Sequence, residues 1–441
     1  MAISSALLTQ MLAVSALTQL NKRAVFARSG VVGYERGNFR FEERVKVRRP
    51  RRRRAQNLNP RLGAATFSEG EFFSGDISLD RLWVDGYPVF GSDPTGSLRL
   101  YIQETGSQLG DSILSPNEDY LYEKFRTYNA TTGVQAIGAH APVRFTTALD
   151  ENGDIADFNA EGLRYASTVL DGFEVPPESR FALISTVAKG AFLGDSVLVD
   201  GFAASLNLNA GRLIQTGMPN GEFVPRYGFG VAGSTSVTGQ DAQLMLADGS
   251  ASATLTGAVA DTDFTYADLP TGLDSIGATR LTLDAAATTL GPNIAIGQIM
   301  RLADAAVAHR YFGLILRIDQ TIPTAPVITM VVCDSRGNVV DAAKLTEIIA
   351  ATALTASVPS IGSVNVAYHQ EALLIANRFI EEPSPGSGAT ATSVVDPQTN
   401  MTIQLFNGAY DLKTVSESRA GYMLTGAMLS DTRKTVAILS K

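Results

Sequence analysis

Two stretches in the first hundred residues have the apolar and polar pattern of extended chain. From Asn38 to Val47 the apolar residues all fall on odd positions, and Ile77 to Val89 is again strand-like. Successive side chains of a strand point to opposite faces, so this pattern predicts strands. Pro50 and a segment rich in Gly, Pro, Ser and Asn from Asn57 to Gly75 separate them. The two stretches are therefore expected to pair as the arms of a long hairpin.

Helical spacing begins after this hairpin. Asp93-Pro94 has the residues preferred at a helix start, and apolar residues recur at helical intervals from Leu98 to Ile113. Ser115-Pro116 is a second start signal, so we expect this helix to be kinked or split at Pro116. Further helices are predicted at 1–28, 156–171, Val187–Leu193, Lys344–Ala356 and Tyr368–Phe379. Short strands are predicted at Phe181–Thr186, Met401–Leu405 and Thr435–Leu439.

The segment from about Ser234 to Asp341 differs from the rest of the chain in composition and in its pattern of apolar residues. Charged residues are sparse, Thr, Ala and Gly are frequent, and apolar runs alternate with turn residues. This pattern is typical of a small all-β domain. Its predicted strands are Arg280–Leu283, Ile294–Met300, Tyr311–Ile318 and Val327–Cys333.

Composition indicates a multidomain chain with few charges. Its 441 residues predict two or three domains, and charged residues make up 18%, against about 25% in typical soluble proteins. Charged residues are depleted at interface cores, so this composition is compatible with assembly. The first twenty residues have neither the cationic start of a signal peptide nor an uninterrupted apolar run.

The charge is divided unevenly along the chain. Residues 1–60 contain 13 basic and three acidic residues, or +10, which leaves 23 basic and 41 acidic residues, or −18, for the remainder. A basic arm on an acidic body favours contact between the arm of one copy and the body of another. It also permits contact with nucleic acid.

Several motifs, taken in order, carry a resemblance to a known family. A helix, then Val175-Pro176-Pro177, then a strand led by Arg180 is the most specific of them. The others are the strand pair around Asn220–Val231, the Tyr368–Leu373 segment, and Asp411–Met428 with Arg419. In this order they resemble the major capsid proteins of tailed bacteriophages with the HK97-like fold. The segment 234–342 is similar in position to the extra β-barrel of some podovirus coat proteins.

The resemblance implies an α+β fold with an inserted small all-β domain. The implied parts are an N-terminal arm (1–45), an extended loop (46–92), a spine helix and peripheral domain (93–185), a first axial part (186–233), the inserted β-barrel-like domain (234–342), a second axial part (343–400) and closing strands (401–441).

The implied function is structural. Such a protein self-assembles as hexamers and pentamers, through a procapsid, into the icosahedral shell that encloses a phage double-stranded DNA genome. The implied partners are further copies of the chain, a scaffolding protein, a portal, a decoration protein and non-specifically bound DNA, without a membrane. Assembly would occur in the host cytoplasm, and the product would be part of the virion. The alternative is an encapsulin-like nanocompartment shell of a cell.

The candidate contact residues lie in the extended loop. The basic ones are Arg48, Arg49, Arg51, Arg52, Arg53 and Arg54. Three interpretations stay open for them: a solvated loop, two-pronged pairing with acids of a neighbouring subunit, or contact with DNA phosphates. Trp83, Tyr87 and Phe90 are either the core of the hairpin or anchors on an adjacent subunit. No lysine occurs from Val47 to Glu123, so a lysine isopeptide cross-link from the loop is not expected.

The residues that could carry chemistry do not form a recognisable site. His140, His309 and His369 have no metal-binding spacing with one another or with the single cysteine, Cys333. Gly228-x-Gly230-x-x-Gly233 has dinucleotide-binding spacing, but no amphipathic helix follows it. Asp150–Asp154 lacks the remaining ligands of a calcium loop and is interpreted as a polar turn. We therefore expect no catalytic, cofactor-binding or metal site, and no enzymatic activity.

Overall fold

The structure is a computed structural model of the chain. It describes residues 24–32, 44–50, 72–90, 98–125, 144–195, 223–238, 252–261, 277–283, 296–306, 308–319, 327–357, 359, 361–378, 390–396, 400–411 and 416–441. These residues form a mixed α and β architecture with two six-stranded sheets, a closed barrel and a two-stranded hairpin.

The first sheet is covered on one face by two helices. Its strands are β1 (Val31–Val32), β4 (Arg81–Phe90), β16 (Leu373–Arg378), β17 (Thr390–Val395), β18 (Thr402–Asp411) and β19 (Ser416–Leu429). Their order is β1-β16-β19-β18-β17, with β4 also paired to β19. The helices are α1 (Val25–Ser29) and α2 (Leu98–Glu123), and they share one apolar core with β16, β18 and β19.

Helix α2 runs through Pro116 without a break, so the predicted split there is wrong. Proline removes one hydrogen bond of the helix, and its ring strains the preceding turn. The residues around it, Ile113, Leu114 and Leu121, are all buried in the core shared with the sheet. Tertiary packing therefore holds a helix that local propensity would interrupt.

The hairpin consists of β2 (Arg44–Pro50) and β3 (Phe72–Ser78), paired antiparallel from Arg44 opposite Ser78 to Pro50 opposite Phe72. The predicted pairing holds only at the base of the hairpin, where Arg44 and Val45 lie opposite Ser78 and Ile77. Most of β3 comes instead from the end of the segment that was predicted as a loop, up to Gly75. The second stretch is not one arm, because the chain leaves β3 at Leu79 and continues as β4 in the first sheet.

The second sheet has the order β5-β20-β15-β6-β8-β7. Its strands are β5 (Phe145–Thr146), β6 (Arg180–Ile184), β7 (Val224–Arg226), β8 (Phe229–Gly233), β15 (Ser363–His369) and β20 (Thr435–Ser440). Two helices, α3 (Ala160–Gly172) and α4 (Thr186–Leu193), pack against one face. Both helices and strands β6 and β20 agree with the sequence-based prediction within a few residues.

The contacts of Arg180 give a physical reason for the Val-Pro-Pro-x-x-Arg pattern. Its buried guanidinium donates from Nε to the carbonyl of Pro176 at 2.9 Å, to the carbonyl of Val175, and from Nη2 to Asp171 at 2.7 Å. One side chain therefore ties the loop after α3 to the end of that helix. A charge-assisted network of this kind needs arginine, because lysine lacks the planar fork.

Six antiparallel strands between residues 252 and 357 close a barrel. They are β9 (Ser252–Ala260), β10 (Ala278–Leu283), β11 (Ile299–Ala303), β12 (Arg310–Asp319), β13 (Val327–Asp334) and β14 (Thr355–Ser357). Helix α5 (Ala342–Thr352) contributes Leu345 and Ile348 to the barrel core. Strand β14 lies beyond residue 342, so the barrel extends further along the chain than the β-rich segment alone indicates.

The predicted helix Tyr368–Phe379 is wrong. The chain there ends β15 at His369, makes one 3-10 turn at Gln370–Ala372, and becomes β16. Both strands lie inside their sheets, so nearly every residue of the segment is buried. Its apolar run, Ala372–Ala376, is continuous and five residues long, so it has neither helical nor strand periodicity. The predicted helix Lys344–Ala356 likewise ends at Thr352, where the chain turns into β14.

Candidate subunit interface

The hairpin is fastened to the body through its base. Val45 and Ile77 are buried, together with Leu79, against Leu374 and Leu424 on the outer face of the first sheet. At the same place the carbonyl of Ser78 lies so close to Gly426 that an added Cβ would be 2.1 Å away. The base is therefore part of the folded subunit.

Of the predicted arginine cluster, the structure describes the backbone of two residues. Arg48 and Arg49 occupy β2 opposite Ser74 and Phe73. Arg51, Arg52, Arg53 and Arg54 lie outside the described residues. The backbone register places the two described arginines away from the buried base, and the three interpretations of the cluster stay open.

Trp83 is hydrogen-bonded to helix α2 of its own chain. Its indole Nε1–H donates to Asn117 Oδ1 at 3.2 Å and to Thr425 Oγ1 at 3.0 Å, and the Thr425 hydroxyl donates to the same Asn117 oxygen at 2.9 Å. The indole also meets the ring of Tyr120 edge-on at 6.3 Å. Trp83 is thus not in the core of the hairpin, because β4 belongs to the first sheet, and it lies partly buried against α2.

The other two aromatic candidates lie further along β4. Tyr87 pairs with Arg419 and Phe90 with Ser416. The structure describes only the backbone at these two positions.

The outer face of β4 carries an apolar surface that sequence reasoning missed. Leu82 is 39% exposed and Val84 is 52% exposed. They lie on the face opposite Trp83, beside Tyr422, whose ring packs edge-on against Phe406 at 4.7 Å. Exposed apolar surface on a regular strand is a candidate contact surface. The sequence did contain a signal for this surface, because the even positions of the predicted strand Ile77–Val89 include the apolar residues Leu82 and Val84.

Part of the predicted arm lies inside the subunit's own core. We call residues 24–32 the strap. Ala24, Val25, Phe26, Ala27 and Ser29 are all buried, and β1 pairs in parallel with β16. Phe26 packs against Tyr122 and Phe125, with ring centroids 5.9 and 5.8 Å apart. Residues 1–23 and 33–43 of the arm lie outside the described residues.

A buried carboxylate holds the start of the strap. Glu118 of α2 accepts the backbone N–H groups of Val25, Phe26 and Ala27 at 3.0, 2.8 and 3.3 Å. Burial raises the pKa of Glu118 from 4.5 to about 7, although these hydrogen bonds act in the opposite direction. Spacing along the sequence offers no signal for this contact, since the partners are more than ninety residues apart.

The residues of the glycine, histidine and acidic motifs form turns, hydrogen bonds and ion pairs within the fold. Gly228 follows Tyr227 in the turn between β7 and β8, with a φ of +80°, and Gly230 lies within β8. His369 accepts the backbone N–H of Glu371 through Nδ1. Asp154 pairs with Arg301 and Arg310 of the barrel at 2.7 and 3.1 Å, and these arginines lower its pKa. His140 lies outside the described residues.

Within the described ranges, no cluster of three or more His, Cys, Asp or Glu side chains could hold a metal ion. Among the same residues, no helix is long and apolar enough to cross a membrane. The lone cysteine, Cys333, is buried in β13, and burial raises its thiol pKa to about 11.

Comparisons with known proteins find similarity in fold only. No protein-family model and no curated protein matches the sequence. Solved structures of phage proteins do match. A chain from Mycobacterium phage Che8 aligns with a TM-score of 0.40 and 10% identity, over 94% of this chain and 90% of that one.

Two further solved structures are similar to this chain at the same level. A chain from the capsid of cyanophage P-SCSP1u has a TM-score of 0.42 and 9% identity, over 94% of this chain and 86% of that one. A chain from the mature capsid of bacteriophage PhiM1 has a TM-score of 0.41 and 10% identity, with the same coverage.

Proposed function

We propose that this chain is the major capsid protein of a tailed bacteriophage and that it self-assembles into the icosahedral shell around a double-stranded DNA genome. The observation that carries the proposal is the order of its parts. A hairpin fastened at its base is followed by a 26-residue helix across a sheet, and then by a second sheet in which the Val-Pro-Pro motif leads into β6 at Arg180. This order agrees with the HK97-like resemblance.

A shell subunit also needs surface that gains stability when other copies cover it. Leu82 and Val84 supply exposed apolar area on the sheet face next to the hairpin base. Burying apolar area releases about 25 cal/mol per Å². Small contacts of this kind, repeated around hexamers and pentamers, would sum to a stable shell, and so the proposed action is mechanical rather than catalytic.

The partners follow from the same proposal. The chain would bind further copies of itself, a scaffolding protein and a portal during assembly in the host cytoplasm, and a decoration protein on the mature virion. The excess of +10 in residues 1–60 supports contacts with acidic bodies of neighbouring subunits or with packaged DNA.

We propose that the barrel is an inserted domain with bounds at about 252–357. Its inner core is separate from the two sheets, while its outer residues Phe312, Leu314 and Val331 pack against Phe145 and Leu439 of the second sheet. The barrel would therefore move together with that sheet.

Electron microscopy of the purified full chain tests the proposal. We expect closed shells, or rings of five and six subunits, after expression of the chain alone. DNA-filled tailed particles from infected cells that contain this chain would separate a phage capsid from a cellular compartment. A compact monomer that persists at high concentration would overturn the proposal.

Neutralising the arginine tract tests its proposed role in assembly. Substituting Arg51, Arg52, Arg53 and Arg54 by Gln should strongly reduce shell yield, because their charges would be lost from subunit contacts, while circular dichroism still reports a folded subunit. Arg164→Gln with Arg336→Gln is the control, since both side chains are exposed on the body. Normal yield and stability of shells from the four-fold variant would remove the tract from the interface.

A further inference from the structure

The strap is held at its first turn by a group from a distant part of the chain. The first N–H groups of any helix lack partners within that helix. Ala24, at the N-cap of α1, has no side-chain oxygen that could accept them. Glu118 accepts three of these N–H groups instead. The start of the strap therefore depends on one carboxyl group.

Neutral contacts hold the rest of the strap. Ser29 and Tyr368 share a hydrogen bond between their hydroxyl groups, and Gln370 Nε2 donates to the carbonyl of Gly30 at 3.3 Å. Phe26 fills a space between the aromatic rings of α2. None of the groups in these contacts changes its charge near neutral pH. The strength with which the strap is held therefore varies with pH only through Glu118.

Among the described residues, Glu118 forms no ion pair. Asp119 on its own helix is negative, and Tyr368 is the titratable group that faces it from β15. On the strap, the Arg28 guanidinium lies over the ring of Phe223 at 5.3 Å. Within the part of the chain that the structure describes, a charged Glu118 is thus buried with only the backbone N–H groups of the strap to stabilise it.

We propose that the strap is a proton-controlled latch, which is docked firmly when Glu118 is neutral and loosened when Glu118 is charged. With the proton on Oε1, the neutral carboxyl group still accepts the N–H groups of Val25 and Phe26 through Oε2, without the cost of burying a charge, and only the longer bond from Ala27 to Oε1 is weakened. Undocking the strap would bring water to the carboxylate. The latch belongs to the single subunit and does not depend on the proposed function.

The direction of the pH dependence follows from linkage. Glu118 has its pKa at about 7 with the strap docked, and it would return toward 4.5 once water reaches it. Docking therefore takes up a proton between these two values. The strap is held most firmly below the lower value, loses stability as the pH rises through about 7, and changes little above that.

Release of the strap would act on the hairpin. The chain continues from β1 through residues 33–43 directly into β2. Loosening residues 24–32 would therefore remove an anchor from the chain that precedes the hairpin, and β16 would lose its parallel partner.

Hydrogen exchange of the full chain, followed by mass spectrometry of a peptide that covers the strap, tests this latch. After correction for the intrinsic exchange rate, we expect the protection of residues 25–29 to fall about tenfold or more between about pH 5 and about pH 8. In Glu118→Gln, which cannot take a charge, protection should be independent of pH. Peptides from α3 serve as an internal reference.

Asp119→Asn is the matched control, because it removes an exposed charge from the neighbouring position of the same helix. It should keep the pH dependence and shift its midpoint slightly downward, since Asp119 contributes to the raised pKa of Glu118. If Glu118→Gln does not fold, the wild-type chain and Asp119→Asn decide the question. Equal protection of the strap at both pH values in the wild-type chain would overturn the proposal.

Discussion

Side chains on β4 divide into an inward set that contacts the rest of the fold and an outward set that is exposed. Trp83 points inward and bridges Asn117 and Thr425, two buried polar residues from different elements. Leu82 and Val84 point outward and are exposed. Adjacent residues of one strand thus have different physical roles, because their side chains alternate between the two faces of the sheet.

Two substitutions on this strand should differ in their effect on the stability of the subunit. Trp83→Phe removes the indole donor and should lower the free energy of unfolding by about 1–3 kcal/mol, because buried acceptors lose a partner. Val84→Ser should change it by no more than about 0.5 kcal/mol, because the side chain is half exposed. Urea denaturation of the unassembled subunit measures both values.

Assembly of the same variants gives the complementary result. We expect Val84→Ser to raise the subunit concentration needed for shell formation, measured by light scattering. If Val84→Ser assembles in the same way as the wild-type chain, the outer face of β4 is not part of the subunit contacts.

At the scale of elements, the barrel is attached to the second sheet by several independent contacts. The backbone N–H of Thr147 donates to the carbonyl of Ser335 at 2.9 Å, and Arg144 donates to the carbonyl of Gly337 at 3.2 Å. Gly337 has a φ of +86° and fits closely against Val169 of α3. The turn after β13 is therefore shaped to meet the body.

Replacing Gly337 by Ala should loosen this attachment. The new Cβ would lie 2.6 Å from Val169 Cγ2, in a backbone conformation that favours glycine. We expect a loss of about 1–3 kcal/mol in unfolding free energy, measured by thermal denaturation. Gly257→Ala in β9 is the control, because no atom lies within 4 Å of its added Cβ. Equal stability of the two variants would contradict a tight fit at the turn.

At the scale of the whole molecule, charge is separated between the first sixty residues and the rest. Residues 1–60 have a net charge of +10, and the remainder of the chain has a net charge of −18. The basic part of one copy can therefore attract the acidic part of the same or of a neighbouring copy. If arm-to-body attraction drives assembly, then raising NaCl from about 0.05 to about 0.5 M should lower the assembly rate, because salt screens exposed charges. Stopped-flow light scattering measures this rate, and a rate that rises with salt would indicate that apolar burial dominates.

Local patterns predicted two kinds of element. Helices α3 and α4 were recognisable because amphipathic periodicity and caps are encoded by neighbouring residues. Strand β6 and three of the barrel strands were recognisable as short apolar runs bounded by turn residues. For the hairpin, the first strand was recognisable by its alternation, but its partner strand was not. The segment Tyr368–Phe379 was not, since burial on both faces erases the period that separates strand from helix.

The sequence alone therefore determined the order of the elements, the charge separation and the β-rich segment, because each depends on residues close together in the chain. Only the tertiary structure decided that α2 passes through Pro116, that β4 exposes Leu82 and Val84, and that Glu118 caps the strap. These features depend on contacts between residues far apart in the chain. Their energies come from burial and hydrogen bonding that exist only once the fold has brought the partners together.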